Sequence, residues 1–202
     1  MNEPFALTPA RIAAAIKRIH AGIDMLRDDL NAADRAVGDG DTGMTIANVV
    51  KAWLPTAETP PDCVGPMLQQ LGRDTRRATG SSLGSVIAIG LTAAGKAAPD
   101  RPVDRLALVS MLDAAASAIT QRSGASAGDK TVLDSLLAIR DAVARDADVL
   151  DAARGALVDF RNREARIGRA RIYGAKSVGL DDPGMRAAAL LLQSAWEPHH
   201  ET

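Results

Sequence analysis

The sequence predicts an all-α fold, an eight-helix antiparallel up-and-down bundle or barrel, on three observations. Apolar residues recur at three- and four-residue spacing over most of the chain, and alanine and leucine are abundant. Aromatic residues are few, with two Trp, two Phe and one Tyr. No segment alternates with the period of two that marks a half-buried strand. At 202 residues the chain is expected to form one domain, 1–202, with a substantial core.

The first helix opens at Thr8-Pro9, an N-cap followed by a proline at the first helical position. Ile12, Ile16, Ile19, Ile23, Leu26 and Leu30 then mark one buried face, and the helix runs straight on into an acidic loop. A second helix is expected over about Thr42 to Leu54, stopped by Pro55, and a third over about Asp62 to Ala78. A fourth follows Gly80-Ser81-Ser82, continues through Val86, Ile87 and Leu91, and ends near Gly95-Lys96. Pro102 starts a fifth that reaches about Gln121, and Gly128-Asp129-Lys130-Thr131 opens a sixth. A seventh spans about Val149 to Ile167, and Asp182-Pro183 caps the last, through Leu190 to Trp196. Short connections make neighbours antiparallel, so the loops after the first, third, fifth and seventh helices gather at one end.

Composition excludes several function classes. Acidic and basic residues nearly cancel to a net charge of -1, which leaves no electrostatic footprint for nucleic acid or an anionic membrane. One cysteine, Cys63, permits no intrachain disulfide and suits a reducing cytoplasm. The N-terminus lacks the basic start and apolar run of a signal peptide, and no apolar stretch is long enough to span a bilayer. A cytoplasmic protein is expected.

The densest chemistry lies in Asp34-Arg-Ala-Val-Gly-Asp39-Gly-Asp41-Thr-Gly43. Asp39 and Asp41 flank Gly40 and can point the same way in an irregular turn, and Asp34 can reach them from the preceding helix. An all-oxygen ligand set suits a hard cation and not zinc. A calcium EF-hand would need an oxygen ligand at its fifth position and a glutamate at its twelfth; counted from Asp39 these are Gly43 and Val50. Magnesium usually completes its shell with water and substrate phosphates, so the pattern directs attention to phosphate-binding backbone.

Four loops answer that requirement: GDGDTG, RRATGSS, SGASAGDKT and GRARIYGAKSVGLDDPG. Each places glycines or small hydroxyl residues at or just before a helix start, where unpaired N–H groups and the helix dipole attract anions. The last is expected to be a long segment without regular structure, carrying Arg169, Arg171, Lys176 and Asp181-Asp182. Walker-type and dinucleotide-binding glycine motifs are absent, so a nucleotide must be held by another architecture.

These loops together resemble the DhaL-type nucleotide-binding subunit or domain of dihydroxyacetone kinases over nearly the whole chain. Asp34, Asp39 and Asp41 match the spacing of that family's magnesium ligands. Gly128-Asp129-Lys130-Thr131-Val132-Leu133-Asp134 repeats its GDKTxLD phrase, and Gly168-Arg169-Ala170, Gly174, Ser177, Gly179 and Asp182-Pro183-Gly184 repeat its GRAxxxGxxSxGxxDPG phrase. The resemblance implies an eight-helix antiparallel barrel with ADP or ATP and two magnesium ions at one end. It assigns Thr42, Gly43, Thr45, Gly80, Ser81, Ser82, Gly128, Arg169, Asp182, Pro183 and Gly184 to the nucleotide, and places Lys130 beside its phosphates. It further implies a K-type partner subunit that holds the sugar, with a phosphotransferase-system protein as a second candidate partner that recharges bound ADP. A homodimer is a further arrangement left open.

No catalytic group is expected beyond the metal and phosphate ligands. His20 lies on the first helix and His199 and His200 in the tail, and none stands in a motif suited to gripping a sugar carbonyl. Two other readings stay open. Thr45-Ile46 and Ala78-Thr79-Gly80-Ser81-Ser82-Leu83 depart from the family's GDGDTGTNM and GGxSG phrases, which suits a nucleotide-sensing regulator without transferase activity. The DGDTG start is also shared by the nucleotide domain of fatty-acid kinases.

Overall fold

The computed structural model describes residues 5–196. Nine α-helices follow one another among them: α1 (Pro9–Ala21), α2 (Ile23–Asp34), α3 (Thr42–Glu58), α4 (Val64–Ala78), α5 (Ser82–Ala97), α6 (Arg105–Ser123), α7 (Val132–Arg145), α8 (Val149–Arg161) and α9 (Pro183–Ala195). A 3-10 segment, Ala170–Ser177, precedes α9. The all-helical expectation holds among the described residues, and the one extended pairing is an isolated antiparallel bridge between Leu7 and Val103.

Four details depart from the sequence reading. The expected first helix is two, because Gly22 (φ -102°, ψ 12°) leaves helical geometry and its N–H turns back to Ile19 O. Pro55 does not end α3. It lies on an exposed side, as does Lys51, whose carbonyl loses its intrahelical donor to the proline but can reach water, while the buried Thr56 and Ala57 hold the last turn to the core. Pro102 lies outside the helix and Val103 pairs with Leu7, and α6 begins only at Arg105 with Asp104 as N-cap, accepting from Ala107 N at 2.8 Å. Finally, α8 stops at Arg161 rather than near Ile167, and the segment expected to be irregular contains the 3-10 turns.

Consecutive helices pack on one another from α2 to α9, and α9 returns to α1 and α2, so the bundle closes as a ring. Ile16, Leu30, Val49, Val50, Met67, Leu71 and Met111 form its main core. Trp53 is the one large ring in that core, and its indole N–H is satisfied by Leu71 O (3.1 Å) and Thr75 Oγ1 (2.9 Å). With so few bulky side chains, close backbone approach does much of the packing. A Cβ on Gly65 would lie 2.8 Å from Gly95 O, and one on Gly95 would lie 2.7 Å from Gly65 O, so α4 and α5 meet glycine to glycine.

Gly65→Ala and Gly95→Ala are therefore expected to destabilise the fold by up to about 2 kcal/mol, an overpacking cost of about 1–3 kcal/mol offset in part by a gain of about 1 kcal/mol in helix propensity. Urea denaturation checks this. A midpoint at or above that of the parent would remove the α4–α5 backbone contact from the account.

Candidate functional site

The acidic loop is built from the end of α2 and the start of α3. Asp34 is buried, and its Oδ2 accepts from Asp41 N (2.9 Å) and Thr42 N (3.0 Å), which folds residues 35–41 into a closed turn. A side chain at Gly38 would overlap Asp34 Oδ1, and Gly40 has the left-handed φ of 78°. Asp39 and Asp41 are exposed on the same turn. Together the three carboxylates offer one oxygen each, all within 4.8 Å of one another. Magnesium binds oxygen at about 2.0–2.1 Å, so shell oxygens lie about 3–4 Å apart and this all-oxygen set fits with a small closure.

The first turn of α3 is occupied by its neighbours. Asn31 Oδ1 accepts from Gly43 N (2.8 Å) and Met44 N (3.3 Å), while Asp34 takes Thr42 N. A Cβ on Gly43 would overlap Arg27 O on α2, so this glycine serves helix contact. At α5 the situation differs. Ser81 Oγ caps Gly84 N at 3.0 Å, and Ser81 N donates to Thr79 Oγ1, but the N–H groups of Ser82 and Leu83 have no acceptor among the described residues.

These elements border one cavity of about 480 Å³. Of the sequence-predicted residues it brings together Asp34, Asp39, Asp41, Thr42, Thr45, Ser81, Ser82, Arg169, Asp182, Pro183 and Gly184. Arg169 forms an ion pair with Asp39. Gly43, Gly80 and Gly128 are not in its wall: Gly43 lies in the α2–α3 contact, Gly80 is exposed, and Gly128 donates its N–H to Asp134 Oδ1 at 2.6 Å and borders a separate arginine-lined cleft. Beyond the sequence-predicted residues, the cavity has an apolar wall of Leu83, Val86, Ile89, Ile119 and Val132, and the polar pair Arg122-Ser123 at the end of α6. The spacing of Val86 and Ile89 on one face of α5 was a usable signal. Nothing local marks Arg122. His20 is half-buried on α1 away from the cavity, and His199 and His200 lie outside the described residues.

A family model, the DAK2 domain, matches residues 36–197. The chain belongs to the DAK2 domain family, as a DhaL-type domain. It is 32% identical over 204 residues to the human triokinase/FMN cyclase, covering 93% of this chain and 35% of that protein. It is 27% identical to the ADP-binding subunit DhaL of a PEP-dependent dihydroxyacetone kinase from Listeria innocua, covering 82% and 84% of the two chains. The crystal structure of the dihydroxyacetone kinase of C. freundii shares the fold, with a TM-score of 0.72 at 24% identity over 95% of this chain and 35% of that one. This DAK2 domain thus spans about a third of the length of its mammalian relatives and most of the length of the Listeria subunit.

Behind the cavity, the DAK2 domain corrects one expectation. Lys130 does not reach the phosphate side. It is 2% exposed, and its Nζ donates to Arg161 O (3.0 Å), Arg163 O (2.8 Å) and Ser177 O (2.8 Å). Burial pulls its pKa below the ordinary lysine range, with Asp182 and Asp181 acting in the opposite direction. The reason lies in the rest of its phrase: Thr131 and Asp134 form a capping box, Asp134 also takes Gly128 N, and the side chain between is directed inward.

Asp182 is the N-cap of α9 and accepts from Met185 N at 2.8 Å. Burial pushes its pKa up to about 6, against the opposing pull of the Met185 and Gly184 N–H groups and of Lys130. Because the folded protein then holds a proton that the unfolded chain has released, Asp182 favours folding below pH about 4 and loses that contribution as pH rises through about 6. Asparagine keeps the cap without the charge. Melting temperatures from pH 4 to 7, without metal or nucleotide, should show Asp182→Asn gaining on the parent as pH rises across this window. Parallel curves would place the Asp182 pKa in the normal range.

Proposed function

We propose that this domain is the nucleotide- and magnesium-binding, phosphoryl-donating part of a dihydroxyacetone or related short keto-sugar kinase, working with a K-type subunit or domain that holds the sugar. One observation carries the reading: a single cavity combines three clustered carboxylates, the unpaired N–H groups at the start of α5, Arg169 and an apolar wall. The apolar wall suits the base of ADP or ATP, and the α5 N-terminus suits phosphate. Asp34, Asp39 and Asp41 would hold magnesium, probing for one ion or two being a matter for titration, and the metal supplies neutralisation of phosphate charge. Asp34 is already oriented by two backbone N–H groups, so the chain's contribution is positioning with little rearrangement.

The chemistry of the wall supports an acceptor held by a partner. Among the described residues it contains no histidine, lysine or cysteine, so no side chain there can form a covalent bond with a sugar carbonyl through nitrogen or sulfur. The names of the relatives support the class, including a triokinase and the L-erythrulose 1-kinase of Mycolicibacterium smegmatis, 31% identical over 182 residues. The Listeria relative is named an ADP-binding subunit, and a second C. freundii structure is a complex with AMP-PNP and Mg2+. Recharging of bound ADP by a phosphotransferase-system protein is the variant that the PEP-dependent relative favours. A cytoplasmic setting agrees with the finding that no described helix is long and apolar enough to cross a membrane.

Asp39→Asn and Asp41→Asn should each weaken magnesium-dependent ADP binding about tenfold or more, with little change in melting temperature, since an exposed ligand charge is lost. Arg169→Ala should weaken it by a similar factor through lost phosphate contacts. Isothermal titration decides both, and unchanged affinity in all three variants would remove the acidic cavity from nucleotide binding.

A coupled assay tests transfer. The purified chain should fail to phosphorylate dihydroxyacetone with ATP or with phosphoenolpyruvate-driven recharging until a K-type partner is added. Sugar phosphorylation by the chain alone would overturn the divided site, and nucleotide binding without transfer under any partner would favour a regulator.

A further inference from the structure

Lys130 is a buried cation that the nucleotide cavity does not use. Its three ammonium protons meet three backbone carbonyls that lie 31, 33 and 47 residues further along the chain. Two of these, Arg161 O and Arg163 O, come before the segment that carries Arg169, and the third, Ser177 O, comes after it. We propose that Lys130 is a positioning residue for the nucleotide site: by holding both ends of the segment 161–177 on one ammonium, it fixes the loop in the shape that presents Arg169 to Asp39 and the bound phosphates. This rests on the functional reading above.

Three observations carry the proposal. First, the segment has little apolar burial to hold it. Ala165 and Ala170 are buried with Val37, but Ile172 is 82% exposed, and Tyr173 and Val178 are also exposed. Second, the segment has conformational freedom to lose, with Gly168 at φ 75° and Gly174 at φ 50° on either side of Arg169 and Tyr173. Third, Lys130 itself adopts φ 62°, a left-handed conformation that disfavours a long side chain and that glycine or asparagine would adopt at lower cost. Burying an ammonium is also expensive unless every proton finds an acceptor. A lysine placed there at both costs is explained by what its side chain holds.

The neighbouring contacts show the same tie. Ser177 Oγ accepts from Ala165 N (2.9 Å) and donates to Gly174 O (2.6 Å), Gly179 N donates to Arg161 O (2.9 Å), and Arg166 N donates to Asp129 O (3.2 Å). All of these lie within or beside the carbonyl cage. Without the ammonium, Arg163 O would lose its donor, and Arg161 O and Ser177 O would keep only the N–H groups of Gly179 and Leu180, so the three converging carbonyls would repel one another. The segment would then relax, and Arg169 with it.

The test uses the full chain with Lys130→Met and Lys130→Ala, read by circular dichroism, hydrogen exchange and titration with ADP and magnesium. Both variants should keep the helical signal, while amides of Ala165, Arg166 and Gly179 exchange at least about tenfold faster and ADP affinity falls about 10- to 100-fold, the range seen when a supporting partner of a site residue is lost. In an Arg169→Ala background the same Lys130 substitutions should change affinity less than about twofold, because the two residues act as one unit. Ethylammonium, which can re-enter the cage left by Lys130→Ala, should restore protection and affinity, whereas tetramethylammonium, which has no N–H, should not.

Unchanged exchange in both variants, or a full additive loss of affinity in the Arg169→Ala background, would overturn the proposal. Loss of the helical signal in both would also overturn it, making Lys130 a determinant of the whole bundle. The exchange comparison needs no nucleotide, so failure of the parent chain to bind ADP would count against the functional reading while the exchange and ethylammonium results still decide whether Lys130 holds the loop.

Discussion

The site depends on the carboxylate of Asp34. Its Oδ2 takes the N–H groups of Asp41 and Thr42, which joins the last residue of α2 to the first of α3 and closes the seven-residue turn between them. That closure brings Asp39 and Asp41 back beside Asp34, and it leaves no room for a side chain at Gly38. Two charge-assisted bonds to a buried carboxylate also oppose the cost of its desolvation. The acidic cluster is thus a consequence of how two helices are joined, and the same carboxylate is both joint and candidate ligand.

The closing of the ring makes the remaining wall. Since α9 packs against α1 and α2, its N-terminus arrives beside the acidic turn and contributes Asp182, Pro183 and Gly184 to the cavity. Arg186 on α9 pairs with Asp29 on α2 (2.5 and 2.9 Å) and with Asp181 (3.0 Å), and Asp181 also takes Arg161 at the end of α8 (2.7 Å). One chain of charges therefore links α2, α8 and α9. Asp181 is well covered, so these pairs are less screened than ordinary surface ion pairs.

Much of this was legible in the sequence, and the illegible parts have physical causes. Helix starts carried their own chemistry, as Thr8-Pro9, Ser81 and Asp182-Pro183 illustrate, because N-capping is local. Helix ends were less legible. Gly22 and Pro55 are both helix breakers by propensity, yet one interrupts and the other does not, because the residues after Pro55 are buried and its own side faces solvent. The inward path of Lys130 could not be read from spacing, since its three acceptors lie tens of residues away. The apolar cavity wall had a signal in the α5 pattern, but a buried-looking face on a helix is ordinarily core.

In sequence the four helix N-termini are equivalent anion sites, and the geometry separates them. An N-terminus attracts phosphate only through N–H groups that nothing else has taken. At α3 those groups are consumed by Asp34 and Asn31, so that end orients carboxylates and is acidic in effect. At α7, Thr131 and Asp134 take most of them, and at α9 Pro183 has none and Asp182 caps Met185. The start of α5 retains two. A cavity that must accommodate both a hard cation and an anion gains from this inequality: the helix end whose donors are spent holds the metal carboxylates, and the helix end whose donors are free is left for the phosphate that the metal accompanies.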